Sequence, residues 1–303
     1  MKIVVGSRGS KLALIQTESV VAKLREINPN LEVSVSKIAT AGDRDRRTQL
    51  DRMSVAVFVK KLEEALLDKR IDLAVHSLKD VPTDIPKGLH LLAVTERLDP
   101  RDALVAKSKL SELPAGSKIG TGSLRRAIQL ARYRLDLIAC SIRGNVDTRL
   151  RKVSSGEVDG VIVAVAGMSR LGWEDKIIEY LPLEHFLPAA GQGAVVIEAR
   201  LADKDIAELV SPLNQPSAWQ SVMAERAFLL TLGGGCRAPI AALATVSNAT
   251  LKLEGMIASM DGKKMLHASE EGSATSPEKV GMQLAHRMLA MGASEFIDEV
   301  RGR

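Results

Sequence analysis

Twice along this chain a short run of branched apolar residues gives way to a stretch of helical period and then to another such run. KIVVG, at residues 2–6, is the first run; apolar residues then recur at helical spacing from about Lys11 to Glu26, and LEVSVSKI alternates as a strand does. VFVKKLEEALLDKR predicts an amphipathic helix and DLAVHS a strand, and Pro82 and Pro86 close the unit. Strands separated by helices are joined by crossovers rather than hairpins, so the order βαβαβ implies a parallel or mixed sheet with helices on its faces.

A second series starts near Asp102: strands DALVA and SKIGTG, a helix over SLRRAIQLARYR, the strand DLIACSI, the helix NVDTRLRKVSSG and the strand DGVIVAVA. Two similar α/β lobes in one chain usually enclose a cleft. Beyond PAAGQGAVVIEAR the pattern changes. A helix-rich 203–231 leads to TLKLEGMIAS and KKMLHASEEG, a hairpin-like pair around Asp261 and Gly262, and 277–297 reads as one helix. The last part is expected to be a small α+β domain.

Charge narrows the partner. The net charge is +5, yet Lys118 to Lys152 alone holds nine Lys/Arg against two acids, so the excess sits in one segment and an anion is expected there. Nucleic acid is the first candidate for a basic patch, but the chain has only eight aromatic residues and this segment only Tyr133 on which to stack a base. A small polyanion fits better. MKIVVGSRGSKLAL has no apolar run of signal-peptide length, and no stretch approaches a membrane span, so a cytoplasmic protein is expected. Cys140 and Cys236 are the two cysteines; their number supports neither a disulfide framework nor a cysteine zinc site, and no metal is expected. Cys140, in DLIACSI, is expected to be buried.

Five stretches carry chemistry. GTGSLRR sets Thr121, Ser123, Arg125 and Arg126 where a strand meets a helix; either backbone N–H groups, hydroxyls and guanidiniums hold an anion there, or Ser123 is an ordinary cap beside two solvated arginines. RGNVDTRLRK repeats the arrangement with Arg143, Gly144, an Asn at the cap and Arg149, and a planar guanidinium matches a carboxylate. Arg8 and Ser10 offer the same donors after the first strand. In HSLKDVP, Asp80 and Lys79 follow a strand end, where ligands bind such sheets, although Asp80 could equally cap its own turn before Pro82. His76 reads as a packed or hydrogen-bonded histidine. In LGGGCRAP, Gly233 to Gly235 free the backbone around Cys236 and Arg237 favours its thiolate, yet a lone cysteine can also be inert.

GSRGSKLALIQT, AVHSLKDVP, IGTGSLRR, SIRGNVDTR, AVAGMSRLG, LPAAGQGA and GGGCRAPI, in that order, resemble the porphobilinogen deaminase (hydroxymethylbilane synthase) family. The resemblance implies two lobes like those of periplasmic binding proteins around a cleft, with 1–96 and 194–212 as lobe 1, 97–193 as lobe 2 and 213–303 as the C-terminal domain. It implies head-to-tail condensation of four porphobilinogen molecules with loss of ammonia, on a dipyrromethane cofactor joined by thioether to Cys236, in a monomer. Asp80 would be the catalytic acid. Lys79, Thr121, Ser123, Arg125, Arg126 and Gly144 would hold the cofactor, and Arg8, Ser10, Arg143, Arg149, Arg170 and Gln192 the substrate. Pyrrole units bearing acetate and propionate account for the arginines, and a cation left by departing ammonia accounts for a fixed carboxylate. A non-catalytic binding protein for a small polycarboxylate would need neither Cys236 nor Asp80. The chain departs from the family at Ser54, Val55 and Ala56, where a glycine-lysine-glycine stretch is common, and at Gly122, where serine is common; Asp147 and Arg237 fall at variable positions.

Overall fold

The structure, a computed structural model, describes residues 1–38, 53–233 and 238–301. Strand β1 (Lys2–Ser7) leads to helix α1 (Lys11–Ile27), strand β2 (Glu32–Lys37), helix α2 (Met53–Leu67), strand β3 (Leu73–Ser77) and strand β4 (Leu89–Val94). The second series is β5 (Asp102–Ala106), β6 (Lys118–Gly120), α3 (Leu124–Tyr133), β7 (Ile138–Cys140), α4 (Val146–Ser154), β8 (Gly160–Ala164), α5 (Val165–Leu171) and β9 (Glu179–Tyr180). Then follow β10 (Val195–Arg200), α6 (Lys204–Val210), α7 (Pro216–Leu232), β11 (Ile240–Ser247), β12 (Thr250–Ala258), β13 (Met265–Ser273), α8 (Pro277–Met288) and α9 (Ser294–Arg301).

The chain divides into two compact units, residues 1–97 with 194–219 and residues 98–193 with 220–303. In the first, the strand order is β2-β1-β3-β10-β4. β1 runs parallel to β2 and β3, whereas β10 is antiparallel to β3 and β4, so the sheet is mixed. α1 begins at Ser10, whose hydroxyl accepts from the Ala13 N–H at 3.3 Å, and it buries Ala13, Gln16, Thr17, Val20, Val21 and Leu24, one stripe at helical spacing. That stripe packs with Ile3, Val5, Leu73, Val75, Val195 and Ile197 on one sheet face, while Leu62, Ala65 and Leu66 of α2 cover the other with Ala74 and Leu89.

The second unit holds two sheets. One has the order β7-β6-β8-β5-β9, with β6 parallel to β7 and β8 and β5 antiparallel to β8. The other is the antiparallel β11-β12-β13, whose Ala242, Ala244, Leu251 and Leu253 pack with Phe228 of α7 and Leu284 of α8. Its second face, through Ala241, Leu243, Met256 and Ala258, closes on Ile128 of α3 and on Leu187. The α/β class with a small C-terminal domain is thus the observed architecture.

Four local readings are corrected. The helix expected over 277–297 is interrupted by a wide turn at Leu289–Ala293, because Gly292 takes φ 101°, which a continuous α-helix cannot accept. The strand expected to continue through AVA stops at Ala164, and the helix that follows is closed by Gly172 in the left-handed region at φ 66°. LHLLAV and VVIEAR, not assigned as strands from sequence, are β4 and β10. Cys140 is half-buried rather than buried, since β7 is an edge strand on which Ile138 is 49% exposed.

Candidate active site

In the first unit β1 and β3 are parallel neighbours, so their C-terminal ends share one sheet edge. Arg8 follows β1, and the 3-10 turn Leu78–Asp80 follows β3. Arg8 Nη1 and Asp80 Oδ2 stand 3.6 Å apart, and the side chains are 26% and 28% exposed. A pair this wet contributes at most about 1 kcal/mol to stability, so either member is available to a ligand at little cost. The Asp80 carboxylate thus faces Arg8 across the sheet edge. The turn is fixed behind it: the Leu78 N–H donates to the Ala194 carbonyl at 3.1 Å, the Val81 N–H to the Leu78 carbonyl at 3.0 Å, and Ser77 and the Gln16 amide exchange hydrogen bonds at 2.9 and 3.0 Å. Lys79 is half-buried on the same turn, and Ser10 is spent as the cap of α1.

In the second unit the C-terminal ends of β6, β7 and β8 lie along one edge, and antiparallel β5 begins there with Asp102. The Thr121 N–H donates to the Cys140 carbonyl at 2.8 Å, the Thr121 hydroxyl accepts from the Ser123 N–H at 3.1 Å, and Ser123 caps α3. Arg143 is exposed at the next junction. Gly144 then turns with φ 109°, and Asn145 caps α4 by its backbone, without a side-chain bond. Arg149 ties the two junctions together. Its Nε donates to the Gly144 carbonyl at 2.9 Å, and a Cβ on Gly122 would stand 3.6 Å from its guanidinium and 3.0 Å from the Ile142 carbonyl oxygen. The glycine at 122 therefore spares the Ile142 carbonyl oxygen a tight approach, whereas a side chain there would meet the Arg149 guanidinium at ordinary contact distance.

Arg125 and Arg126 are neither solvated nor turned outward. They are 5% and 6% exposed. Arg125 Nη1 donates to Asp102 Oδ2 at 2.8 Å and to the Leu187 carbonyl at 2.6 Å; Arg126 donates to Asp102 Oδ1 at 2.6 Å and to the Ile162 carbonyl at 3.0 Å. Gln192 completes the group, donating to Asp102 Oδ1 at 2.8 Å and to the Pro100 carbonyl at 2.6 Å. Burial would raise the Asp102 carboxyl, but the charges and hydrogen bonds of the two guanidiniums outweigh it and hold the group well below the usual carboxylate range. Burial in turn lowers Arg125, partly offset by Asp102. Two arginines on one aspartate leave a positive charge over, and Arg126 Nε is buried without a partner among the described residues. Asp102 is the site residue that sequence reasoning missed. Its signal was present: it is an acid opening the otherwise apolar run DALVA.

Arg170, at the end of α5, donates to the Gly193 carbonyl at 2.7 Å. No carboxylate faces it among the described residues, and burial alone pushes its guanidinium down to about 10. Cys236 and Arg237, and the side chains of Ser54, Val55 and Ala56 in the first turn of α2, lie outside what the structure describes. Among the described residues no group of His, Cys, Asp and Glu could hold a metal, and no helix is long and apolar enough to cross a membrane.

Residues 3–208 match the family described as porphobilinogen deaminase, dipyromethane cofactor binding domain, and residues 219–290 the porphobilinogen deaminase C-terminal domain. A porphobilinogen deaminase of Geobacter metallireducens is 46% identical over 99% of this chain and 95% of its own length, and one of Thermus thermophilus is 44% identical over 99% of both. Among solved structures, the methionine binding protein MetQ covers 77% of this chain and 96% of its own, at 17% identity and a TM-score of 0.43.

Proposed function

We propose, from the premise that this chain belongs to the porphobilinogen deaminase family, that the residues gathered at the two sheet edges carry that family's chemistry. The protein is a hydroxymethylbilane synthase: it condenses four porphobilinogen molecules head to tail, releases ammonia at each addition and yields a linear tetrapyrrole. Its cofactor is dipyrromethane.

The residues present fit that cofactor by their chemistry. A half-buried guanidinium with no carboxylate opposite it among the described residues is costly, and Arg170, on the substrate side, is one; the buried Nε of Arg126 is an unmet donor on the cofactor side. Pyrroles bearing acetate and propionate bring the anions such donors need. This is the observation that carries the reading. Lys79, Thr121, Ser123, Arg126 and Gly144 would hold the cofactor's carboxylates, and Cys236 would anchor it by a thioether. Arg125 would act chiefly by sharing Asp102 with Arg126. Bound in this way, the dipyrromethane supplies the carbon terminus on which the product is built.

The other roles belong to the chain itself. Arg8, Ser10, Arg143, Arg149, Arg170 and Gln192 are assigned to the incoming substrate; Ser10 and Gln192 would do so largely by holding α1 and the Asp102 group in place. Asp80 would accept from a pyrrole N–H and offset the positive charge that appears when ammonia leaves. Held on a closed turn, its carboxylate needs no reorientation as that charge develops, which is the condition for electrostatic stabilisation. Arginines that grip substrate and transition state alike would set affinity more than rate. A cytoplasmic monomer acting on a small molecule, without nucleic acid or membrane, completes the proposal.

Intact mass measurement with turnover tests it. The purified protein should carry an adduct of dipyrromethane size that Cys236→Ser abolishes, and Asp80→Ala should keep the adduct while losing roughly a hundredfold or more in kcat. An active protein of unmodified mass would defeat the anchor, and normal turnover by Asp80→Ala would defeat the assigned acid.

A further inference from the structure

Three ionisable side chains are sealed behind the turn that carries Lys79 and Asp80, and the chemistry above uses none of them. His76 on β3, Glu198 on β10 and Glu63 on α2 are 4%, 0% and 6% exposed. His76 Nε2 and Glu198 Oε2 are 2.9 Å apart, a diagonal pair on one sheet face, since His76 lies opposite Val196 and Glu198 opposite Ala74. Glu198 Oε1 and Glu63 Oε1 have no hydrogen-bond partner among the described residues. Two buried carboxylates with unpartnered oxygens are costly to keep charged, and a proton held by Glu63 removes one of the charges. Burial first, and next the charge of Glu198, push the Glu63 carboxyl up to about 7, against the pull of His76.

Among the described residues the remaining charged neighbours do not fill that place. Lys60 and Glu64 flank Glu63 on α2 itself. Arg200 on β10 gives its Nη donors to the Leu66 and Ile71 carbonyls and to Asp72 and Asp203, and its buried Nε has no partner among the described residues. The turn contributes Lys79 and Asp80, the latter paired with Arg8. β1 and β4 present Val4, Gly6 and Leu89 to α2, none of which titrates.

We propose that Glu63 holds a proton and, with the His76–Glu198 pair, forms a positioning cluster that ties α2, β3 and β10 together behind the Lys79–Asp80 turn. The proposal rests on the reading of Asp80 given above. α2 packs on both β3 and the turn, and β3 runs from His76 through Ser77 directly into it, so a shift of either element carries the Asp80 carboxylate with it. The cluster is also linked to pH. A carboxyl whose folded pKa is raised from 4.5 to about 7 contributes stability that is complete at low pH and lost as pH rises through about 7.

Glu63→Gln keeps a donor and removes the charge; Glu63→Leu keeps the bulk and removes both. Between about pH 6 and about pH 8 the thermal midpoint of the wild-type holoprotein should fall by several degrees more than that of Glu63→Gln. At neutral pH, Glu63→Leu should carry the adduct with an unchanged KM but lose roughly tenfold in kcat, and Glu63→Gln should restore kcat. The proposal is overturned if the two midpoints fall in parallel, if Glu63→Leu turns over like the wild type, or if Glu63→Gln is as slow as Glu63→Leu. Should Glu63→Leu not fold, the midpoint comparison decides. Asp80→Ala assayed alongside separates the two readings: normal turnover there removes the catalytic role of Asp80 and leaves the midpoint result standing.

Discussion

Asp102 shows how one side chain can decide the environment of several others. Fully buried, it neutralises half of the charge that Arg125 and Arg126 bring inside, and it accepts from Gln192 as well. Removing one partner of a buried charged group costs far more than the group contributes net, because the charge left behind has no solvent. Asp102→Asn should therefore lower the unfolding free energy by about 3–5 kcal/mol in urea titration. The sign of the pH dependence follows from the depressed carboxyl. Its contribution is present above the unfolded value of 3.8 and lost only as pH falls through the lower folded value, so the gap between wild type and variant should stay constant from neutral pH to mild acid and close only in strong acid. A gap that closes before the ordinary carboxylate range is reached would contradict this account. Sequence pointed to both arginines but to the wrong environment, since no local pattern tells a guanidinium that it will meet an aspartate some two dozen residues away.

At the scale of an element, α4 is held both by its apolar side and by its start. Val146, Leu150 and Val153 are half-buried against Val105, Ile142 and Val161, and the Arg149 bond to the Gly144 carbonyl fixes its first turn. Gly144 is required there: with φ 109°, a Cβ would also come within 2.6 Å of the Thr148 side chain. Gly144→Ala should cost about 1–3 kcal/mol by chemical denaturation and lower the fraction of protein carrying the adduct; a variant as stable as wild type would show that the junction relaxes freely. The strand, glycine and capping residue of this junction were legible in RGNVDTRLRK, because turn and cap preferences are local. The break at Gly292 was not, since a glycine inside a helical period reads equally as a tolerated residue.

At the scale of the molecule, the C-terminal sheet of the second unit has no independent core on its inner face. Ala241, Leu243, Met256 and Ala258 close on Ile128 and Leu187, so helix α3, with the segment around Leu187, and the antiparallel sheet share one apolar layer. Leu187→Lys, which puts a charge into that layer, should destabilise by about 3 kcal/mol or more. Hydrogen exchange should then show faster amides in both β6–β8 and β11–β12; loss of protection in one sheet alone would mean that the two unfold separately. Nothing in either sheet's own alternation revealed the shared layer, because an apolar face looks the same whatever covers it.

Sequence alone determined the alternation of elements, the α/β class, the junctions that carry hydroxyls and guanidiniums, and, through seven ordered motifs, the family. Those are properties of periodicity, turn chemistry and short spacing, all written locally. Tertiary structure alone decided that β10 returns to pair between β3 and β4, that Arg125 and Arg126 turn inward to Asp102 while no carboxylate among the described residues meets Arg170, and that His76 pairs with Glu198 while Glu63 is buried on α2. Each depends on which distant residues come to share a low-dielectric interior, and a charge acquires its cost and its partner only there.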